Sequence, residues 1–365
     1  MNPETRQKIF KAITVVVTIY LFLLSINLLG HSFKLFGKEF AEAMLQTTSN
    51  PFTGLIIGIV ATSLIQSSST TTSIVVGLVA GGVVNLENAI PIIMGANIGT
   101  TVTNTLVSLG HIGHKLEFKR AFAAGVVHDF FNICAVIVLF PIEIKFHIVQ
   151  KTALLLEKAF EGVGGMKVFN PLKFILNPVI EFIDSLFSNI PYNDIVLMII
   201  SIIGMFGALA LLIKTVRSLV VNKIEIIINK YLFKNDFMGM IWGTLMTFIV
   251  QSSSVTTSLI VPLAGAGIVR LRQIFPYTLG ANIGTTGTAL LAALATANPI
   301  AVTAAFAHLV FNIFGIVIFY PLKMIPLTLA EKASEYVSKS KKNLVIFLVL
   351  YSTVYIIPIL FIILF

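Results

Sequence analysis

An internal duplication constrains the fold of this chain more than any other feature of its sequence. The segment QSSSTTTS at 66–73 returns as QSSSVTTS at 251–258, and GANIGTT at 95–101 returns unchanged at 280–286. Both pairs are offset by 185 positions, so the chain contains two copies of one structural unit. Each copy sets hydroxyls and carboxamides in apolar sequence, where such groups are costly unless they bind a ligand or one another. We therefore expect the two copies to be facing halves of one buried polar site.

The composition predicts a membrane protein. Of the 365 residues, 56% are hydrophobic and 11% are charged, whereas about a quarter of the residues in a soluble domain are charged. Apolar runs of about twenty residues, the length of a spanning helix, alternate with charged clusters, and the alternating strands of a β-barrel do not appear. The expected fold is an all-α polytopic membrane protein. The predicted spans are 9–30, 89–109, 121–140, 193–213, 273–295, 299–319 and 344–365.

The charge balance and the cysteine content exclude several functional classes. The net charge of +9 is carried by Lys and Arg in short loops. These residues form no basic face for nucleic acid, and membrane orientation explains them more simply. The single cysteine, Cys134, lies in an apolar run, which excludes a disulfide framework and a Cys-based metal site. The first apolar run is too long for a signal peptide and has no cleavage site, so we expect it to be retained as a span.

Two further apolar regions, 51–84 and 236–269, are too long for one helix and carry QSSS near their middle. About fifteen residues precede the first QSSS segment and rise ~22 Å as helix, which is too short to cross the bilayer. Each region is therefore predicted to be a re-entrant hairpin with QSSS at its tip. The glycines of each GANIGTT segment are predicted to break the transmembrane helix and turn its carbonyls inward.

Loop charges predict that the two copies have opposite orientations. The connection 81–87 after the first hairpin has no Lys or Arg, whereas its counterpart contains Arg270 and Arg272. After the GANIGTT span the bias reverses, because loop 110–120 is basic and loop 296–299 is uncharged. Equivalent loops thus lie on opposite sides of the membrane, and the repeats are predicted to be inverted.

The duplication also divides the chain into segments. An N-terminus in the cytoplasm puts the basic loops inside and the C-terminus outside. The connector between the repeats is rich in Phe, Ile and Leu, which favours amphipathic helices over the alternative of a disordered linker. The predicted segments are 1–50, an N-terminal span and connection; 51–141, transport repeat 1; 142–192, an extracytoplasmic amphipathic connector; 193–235, a span and cytoplasmic amphipathic linker; 236–321, the inverted transport repeat 2; and 322–365, a cytoplasmic segment and C-terminal span.

The polar segments favour an anion accompanied by small cations. Hydroxyls, carboxamides and the free amides of a helix start suit an oxyanion, and two tips from opposite faces would enclose one tetrahedral ligand. The remaining oxygen atoms suit a hard, weakly held cation such as Na⁺. The alternative is that the hydroxyls bond the preceding helical turn or join helices. Packing alone, however, does not require Gln-Ser-Ser-Ser at both tips.

Asp129 is the only charged residue in the predicted span 121–140. An ionisable group inside a membrane helix is functional by default, here as a cation ligand or a proton site. The alternative is an interfacial aspartate that caps the helix near its cytoplasmic end. Its counterpart in the second copy is Leu309, and Asn104 likewise corresponds to Ala289. This asymmetry predicts one cation site beyond two symmetric ones.

A catalytic function is not expected. His128 and His308 occupy equivalent positions at an offset of 180, beside apolar neighbours, and are predicted to be hydrogen-bonded packing elements. The motif serines Ser68 and Ser253 have no His or carboxylate beside them in their segments to act as a base, so no activated nucleophile is predicted. A channel remains an alternative to a carrier, because breaks lined with oxygen atoms also form filters.

With these motifs the chain resembles the type II sodium–phosphate cotransporter family. QSSSTTTS, GANIGTTVTN and RAFAAGVVHDFFN carry the resemblance in the first copy, and QSSSVTTS, GANIGTTGT and FAHLVFNI carry it in the second. The chain looks like a minimal bacterial form without the long glycosylated loop and cytosolic tails of animal members. This implies an integral protein of the bacterial inner (cell) membrane.

The resemblance implies a symporter that imports inorganic phosphate with Na⁺ by alternating access, without an organic cofactor. About three Na⁺ per divalent phosphate would move one net charge, worth ~2.3 kcal/mol per 100 mV. By position, phosphate would be held by Gln66, Ser67, Ser68, Ser69, Gln251, Ser252, Ser253 and Ser254, with Asn97 and Asn282 nearby. Na⁺ would be bound by Asp129, Asn104, Asn132, Thr100, Thr101, Thr285, Thr286 and Thr288.

The substrate alternative is a Na⁺-coupled carrier of another oxyanion, such as arsenate, sulfate or a small carboxylate. An Arg fork would favour carboxylate, but neither polar segment contains Arg. The expected partners are phosphate, sodium ions and the lipid bilayer, and no nucleic acid. Whether the chain forms a homodimer is left open.

Overall fold

The computed structural model describes residues 50–80, 84–100, 102–160, 171–188, 235–250, 252–296 and 298–364, with scattered positions in 6–28 and 190–211. All regular secondary structure in these ranges is helical, which confirms the all-α class. A short apolar helix, Ile9–Thr18, lies in the first predicted span. Nine of the 21 positions of the predicted span 193–213 lie outside the described residues, and the described ones are helical.

The helices of the two copies follow in the same order. The first copy contains α1 (Pro51–Ile65), α2 (Ser68–Ala80), α3 (Leu86–Gly99), α4 (Val102–Leu109) and α5 (Lys115–Phe146). The connector contains α6 (Ile148–Ala159) and α7 (Pro171–Phe187). The second copy contains α8 (Asp236–Val250), α9 (Ser253–Ser258), α10 (Ile260–Gly265), α11 (Leu271–Thr296) and α12 (Pro299–Phe319). They are followed by α13 (Met324–Lys339) and α14 (Lys341–Leu364).

Three helical segments among the described residues are long and apolar enough to cross a membrane. They are Leu86–Leu109, which combines α3 and α4, then α5 and α12. Helix α5 extends beyond its predicted span 121–140 at both ends and continues through Pro141. Helix α1 has 15 residues, so it rises only ~22 Å. Apolar spanning helices and shorter helices with interruptions therefore occur together in the chain.

The chain interrupts its helices at both QSSS segments. Helix α1 ends at Ile65 because Gln66 adopts the left-handed conformation at φ 56°, and α2 begins at Ser68. In the second copy α8 ends at Val250, and Ser252 caps the start of α9. In each copy the helix before the interruption packs against the helix after it. Gln251 lies outside the described residues.

Glycines allow equivalent helix pairs to pack at backbone contact. A Cβ added at Gly95 on α3 would lie 2.0 Å from the carbonyl oxygen of Leu55 on α1. A Cβ added at Gly280 on α11 would lie 1.9 Å from the carbonyl oxygen of Met240 on α8. No side chain fits at such distances, so only glycine permits these two helix pairs to approach so closely.

The helix break predicted in the first GANIGTT segment falls at Thr101, which lies outside the described residues, and the second segment has no break. Helix α3 ends at Gly99 and α4 begins at Val102. Helix α11 instead runs without interruption from Leu271 to Thr296, so the prediction of a break at 280–286 is wrong. The physical reason is that the glycines of the second segment serve close packing against α8. They do not free the backbone from its helical hydrogen bonds.

Two ion pairs at the protein surface connect helices outside the buried polar segments. Lys119 on α5 lies 2.7 Å from Glu335 on α13, and Lys323 lies 2.6 Å from Asp236 at the start of α8. The hydrogen bond to Asp236 raises the pKa of Lys323 above its usual value. This ion pair links the connection between α12 and α13 to the start of α8.

Candidate functional site

The first QSSS segment is anchored to α4 by its glutamine. The side-chain oxygen of Gln66 accepts a hydrogen bond from Thr103 Oγ1 at 2.5 Å, and its amide nitrogen donates to the carbonyl of Ser63. The next residue caps α2, because Ser67 Oγ accepts from the backbone N–H of Thr70 at 3.1 Å. The tip is thus held against the start of α4.

The second QSSS segment repeats this cap. Ser252 Oγ accepts from the backbone N–H of Val255 at 3.3 Å, the same pairing as Ser67 with Thr70 at an offset of 185. In both tips the first-turn amides beyond the cap have no acceptor within the helix. Each tip therefore presents hydroxyls and amide donors in buried surroundings. The serines that follow the caps are buried: Ser68, Ser69, Ser253 and Ser254.

The second tip lies against the polar interruption of the first copy. Ser254 Oγ donates to the carbonyl oxygen of Thr100 at 3.1 Å. Asn104 Nδ2 donates to Thr257 Oγ1 at 2.9 Å. Conversely, α2 of the first copy packs against α11 of the second. The second QSSS segment and the GANIGTT region of the first copy are therefore brought together across the repeat boundary.

Two equivalent histidine–asparagine pairs cross the same boundary. His128 Nε2 lies 2.5 Å from Asn282 Oδ1, and His308 Nε2 lies 3.4 Å from Asn97 Oδ1. Asn282 Nδ2 donates to Asn132 Oδ1 at 2.8 Å, which leaves Oδ1 of Asn282 as the acceptor for His128. All five residues are at most 3% exposed. The prediction that both histidines are hydrogen-bonded is confirmed, and their partners lie in the GANIGTT segment of the opposite copy.

The side chains of the two motif asparagines are hydrogen-bonded within the protein. Asn97 Nδ2 donates to the backbone carbonyl of Ile93 at 3.0 Å. The backbone carbonyl of Asn97 accepts from Asn132 Nδ2 at 2.8 Å. The amide of Asn282 is bonded to His128 and Asn132. Among the described residues, these bonds connect the asparagines to the inter-repeat network and not to the tip serines.

Asp129 is buried, with one carboxylate oxygen engaged. Oδ2 accepts from Tyr351 Oη at 2.7 Å and lies 3.5 Å from Thr105 Oγ1, whereas Oδ1 has no hydrogen-bond partner among the described residues. The predicted neighbours Asn104 and Asn132 bond to other groups. The structure thus supplies Tyr351 and Thr105 as the neighbours of the carboxylate. Thr105 directly follows Asn104, so its place beside Asp129 could have been suggested from the sequence. No sequence signal indicated that Tyr351 contacts Asp129.

The predicted cation-binding threonines differ in their hydrogen bonds. Thr100, Thr285 and Thr286 donate to carbonyls of their own preceding turns at 2.9, 3.0 and 2.6 Å. The buried hydroxyl of Thr288 has no partner among the described residues. Thr101 lies outside them. The first three therefore show the alternative arrangement, in which a hydroxyl bonds its own helix.

Sequence analysis did not identify one pair of threonines that occupy equivalent positions in the two copies, Thr62 and Thr247. Thr62 and Thr247 are 0% exposed and their hydroxyls have no partner in the described part of the chain. Each stands one helical turn before the glutamine of a QSSS segment. The offset of 185 was the available signal. Across the described ranges no three His, Cys, Asp or Glu side chains form a cluster, so the candidate cation ligands are hydroxyl, amide and carboxylate oxygens.

Known proteins match this chain over the regions that contain the QSSS and GANIGTT segments. The family model described as Na+/Pi-cotransporter matches residues 21–166 and 203–326. Sodium-dependent phosphate transport protein 2A of Rattus norvegicus is 33% identical over 93% of this chain and 66% of its own length. Sodium-dependent phosphate transport protein 2B of Homo sapiens is 31% identical over 94% of this chain and 64% of its own length.

The chain spans a little less than two thirds of the length of these relatives. No solved structure was found to match it. The family match covers most of both copies, including both QSSS segments and both GANIGTT segments. The chain therefore belongs to the Na+/Pi-cotransporter family.

Proposed function

We propose that this protein is a secondary active symporter that couples inward movement of Na⁺ to uptake of inorganic phosphate. The names of its relatives describe sodium-dependent phosphate transport. The observation that carries the proposal is the hydrogen bond of Ser254 to the carbonyl of Thr100, which joins the QSSS segment of one copy to the GANIGTT segment of the other. A site made from both copies is what alternating access between two repeats requires.

The two copies, 51–141 and 236–321, act as inverted repeats with re-entrant hairpins. The 15-residue length of α1 supports this arrangement, because such a helix ends inside a bilayer about 30 Å thick. A helix end at that depth is tolerated only where protein or a wet cavity covers it. The N-terminus is cytoplasmic, the C-terminus is extracytoplasmic, and the membrane is the bacterial inner membrane.

Phosphate binds between the two tips. Hydroxyls and first-turn amides donate to its oxygens, and the absence of Arg from both segments makes recognition depend on these neutral donors. The buried serines of both tips support this assignment. Asn97 and Asn282 lie near the bound phosphate, and their side-chain oxygens contact His308 and His128. The phosphate ligands are Gln66, Ser67, Ser68, Ser69, Gln251, Ser252, Ser253 and Ser254.

The coupling cations bind to oxygen atoms beside the tips. Asp129 forms the asymmetric site, and its free Oδ1 supports this role because a buried carboxylate oxygen without a partner favours a cation. Asn104 and Asn132 are assigned to that site by their sequence positions, and their side chains bond to Thr257 and to Asn282. About three Na⁺ accompany one divalent phosphate, so transport moves one net charge and gains ~2.3 kcal/mol per 100 mV. The symmetric sites use the hydroxyls of Thr100, Thr101, Thr285, Thr286 and Thr288.

Uptake of labelled phosphate into proteoliposomes tests the proposed function. We expect saturable accumulation above the external concentration only when Na⁺ is higher outside, and none when Li⁺, K⁺ or choline replaces it. Arsenate, sulfate and a small carboxylate, each added in excess, show whether phosphate is the preferred substrate. Flux that never exceeds equilibrium under a Na⁺ gradient would identify a channel and overturn the proposal.

A further inference from the structure

The carboxylate of Asp129 is contacted from outside both repeats. Its Oδ2 accepts a 2.7 Å hydrogen bond from Tyr351 Oη, and Tyr351 belongs to α14, which follows the second copy in the chain. Asp129 is 2% exposed, and its other oxygen, Oδ1, is buried with no partner among the described residues. The two oxygens of one buried carboxylate are therefore in different states. One is held by a phenol, and the other remains available.

Aromatic packing fixes the position of the phenol. The ring of Tyr351 stacks on Phe347, one turn earlier in α14, at a centroid distance of 5.9 Å and an interplanar angle of 16°. Phe347 in turn meets the edge of Phe122, which lies on α5 with Asp129, at 5.3 Å. The hydrogen bond and the ring contact join α14 to α5 at two points, which are about two turns apart on α5 and about one turn apart on α14. The hydroxyl consequently has little freedom to leave Oδ2.

A neutral phenol donor does not compensate a buried negative charge. The group needs a cation or a proton as well, because burial of an isolated carboxylate is strongly unfavourable. A phenol on Oδ2 restricts rotation of the carboxylate and occupies one of the lone pairs of that oxygen, whereas both lone pairs of Oδ1 are left for a cation. We propose that Tyr351 is a positioning residue for the coupling ion: its hydroxyl holds Oδ2 and leaves Oδ1 as the oxygen that takes a small monovalent cation. This inference rests on the proposed function, in which Asp129 binds Na⁺.

The variant Tyr351→Phe tests the inference because it removes the hydroxyl and keeps the stacked ring. We expect the Na⁺ concentration for half-maximal phosphate uptake to rise about three- to tenfold, as for the loss of one hydrogen bond. The phosphate KM at saturating Na⁺ should stay within about twofold of wild type. Tyr336→Phe is the matched control, since it removes a hydroxyl from a 39% exposed tyrosine on α13. The control should leave both constants unchanged.

The outcomes separate this inference from the proposed function. If wild type shows no Na⁺-dependent uptake, the proposed function fails. If wild type transports and Tyr351→Phe leaves the Na⁺ dependence unchanged, or shifts the Na⁺ and phosphate constants equally, only the positioning role fails. An equal shift would indicate that Tyr351 merely docks α14.

A second measurement keeps the hydroxyl in place. We expect the ¹⁹F resonance of 3-fluorotyrosine at position 351 of the full chain to shift when Na⁺ is added without phosphate, and to stay unmoved by K⁺. A resonance that ignores Na⁺, or that follows K⁺ equally, would overturn the inference. This arm decides the question even if Tyr351→Phe assembles poorly.

Discussion

Several buried polar side chains of this protein form hydrogen bonds across the boundary between the two copies. His128 bonds to Asn282, Asn104 bonds to Thr257, and Asn282 also bonds to Asn132, each across at least 150 positions of sequence. Removal of one partner leaves the other buried and unsatisfied, which costs more than the bond itself contributes. Single substitutions in this network should therefore affect stability strongly.

We expect His128→Ala to lower the melting temperature of the purified protein more than His308→Ala. The His128 contact to Asn282 is 2.5 Å, whereas the equivalent His308 contact to Asn97 is 3.4 Å. Loss of the shorter contact should cost about 1–3 kcal/mol. His114→Ala, at an exposed loop position, is the control. Equal melting temperatures for the two variants would contradict a difference in strength between the pairs.

Asp129→Gly should convert electrogenic transport into electroneutral uptake. Under the proposed stoichiometry of three Na⁺ per divalent phosphate, loss of the carboxylate removes one cation per cycle, so the net charge moved should fall to zero. Proteoliposomes with wild type should show an inward current when phosphate is added, while the variant should take up labelled phosphate without current. Glu335→Gln removes a surface carboxylate and should keep the current. A current of wild-type size in Asp129→Gly would remove the residue from the mechanism.

Helix pairs of the two copies depend on the same glycine contacts. The sequence pattern suggested that these glycines break helices, and they do not do so in α11. Glycine is compatible with both a break and close packing, and the local sequence does not distinguish them. The distances across α1–α3 and α8–α11 decide in favour of packing.

Gly95→Ala and Gly280→Ala should each reduce the yield of folded, monodisperse protein. The added methyl group would overlap a backbone carbonyl oxygen at 2.0 Å or 1.9 Å, and backbone cannot move aside as a side chain does. Overpacking of this kind costs about 1–3 kcal/mol or more. Gly113→Ala is the matched control, because a Cβ there meets nothing within 4 Å. Size-exclusion profiles in detergent measure the result, and normal profiles for both variants would refute close packing.

At the scale of the whole molecule, the two tips should open to opposite sides of the membrane in alternation. We expect Ser68→Cys and Ser253→Cys, each in a Cys134→Ser background, to react with membrane-impermeant thiol reagents from opposite faces. Na⁺ and phosphate together should protect both positions, because the ligand closes the site between them. Sided labelling of vesicles measures this. Permanent access to both positions from one face would contradict the inverted-repeat mechanism.

The sequence by itself determined the helical class, the duplication, the two interruptions at QSSS and the family. These features follow from local sequence patterns. A helix in the bilayer satisfies its own backbone hydrogen bonds, and the two apolar regions that carry QSSS are too long to be a single helix. Only the tertiary structure decided that Tyr351 meets Asp129, that His128 meets Asn282, and that α11 continues through GANIGTT. The partners in those two contacts are 222 and 154 positions apart. Such contacts depend on how packed helices align in space, and no local pattern encodes that alignment.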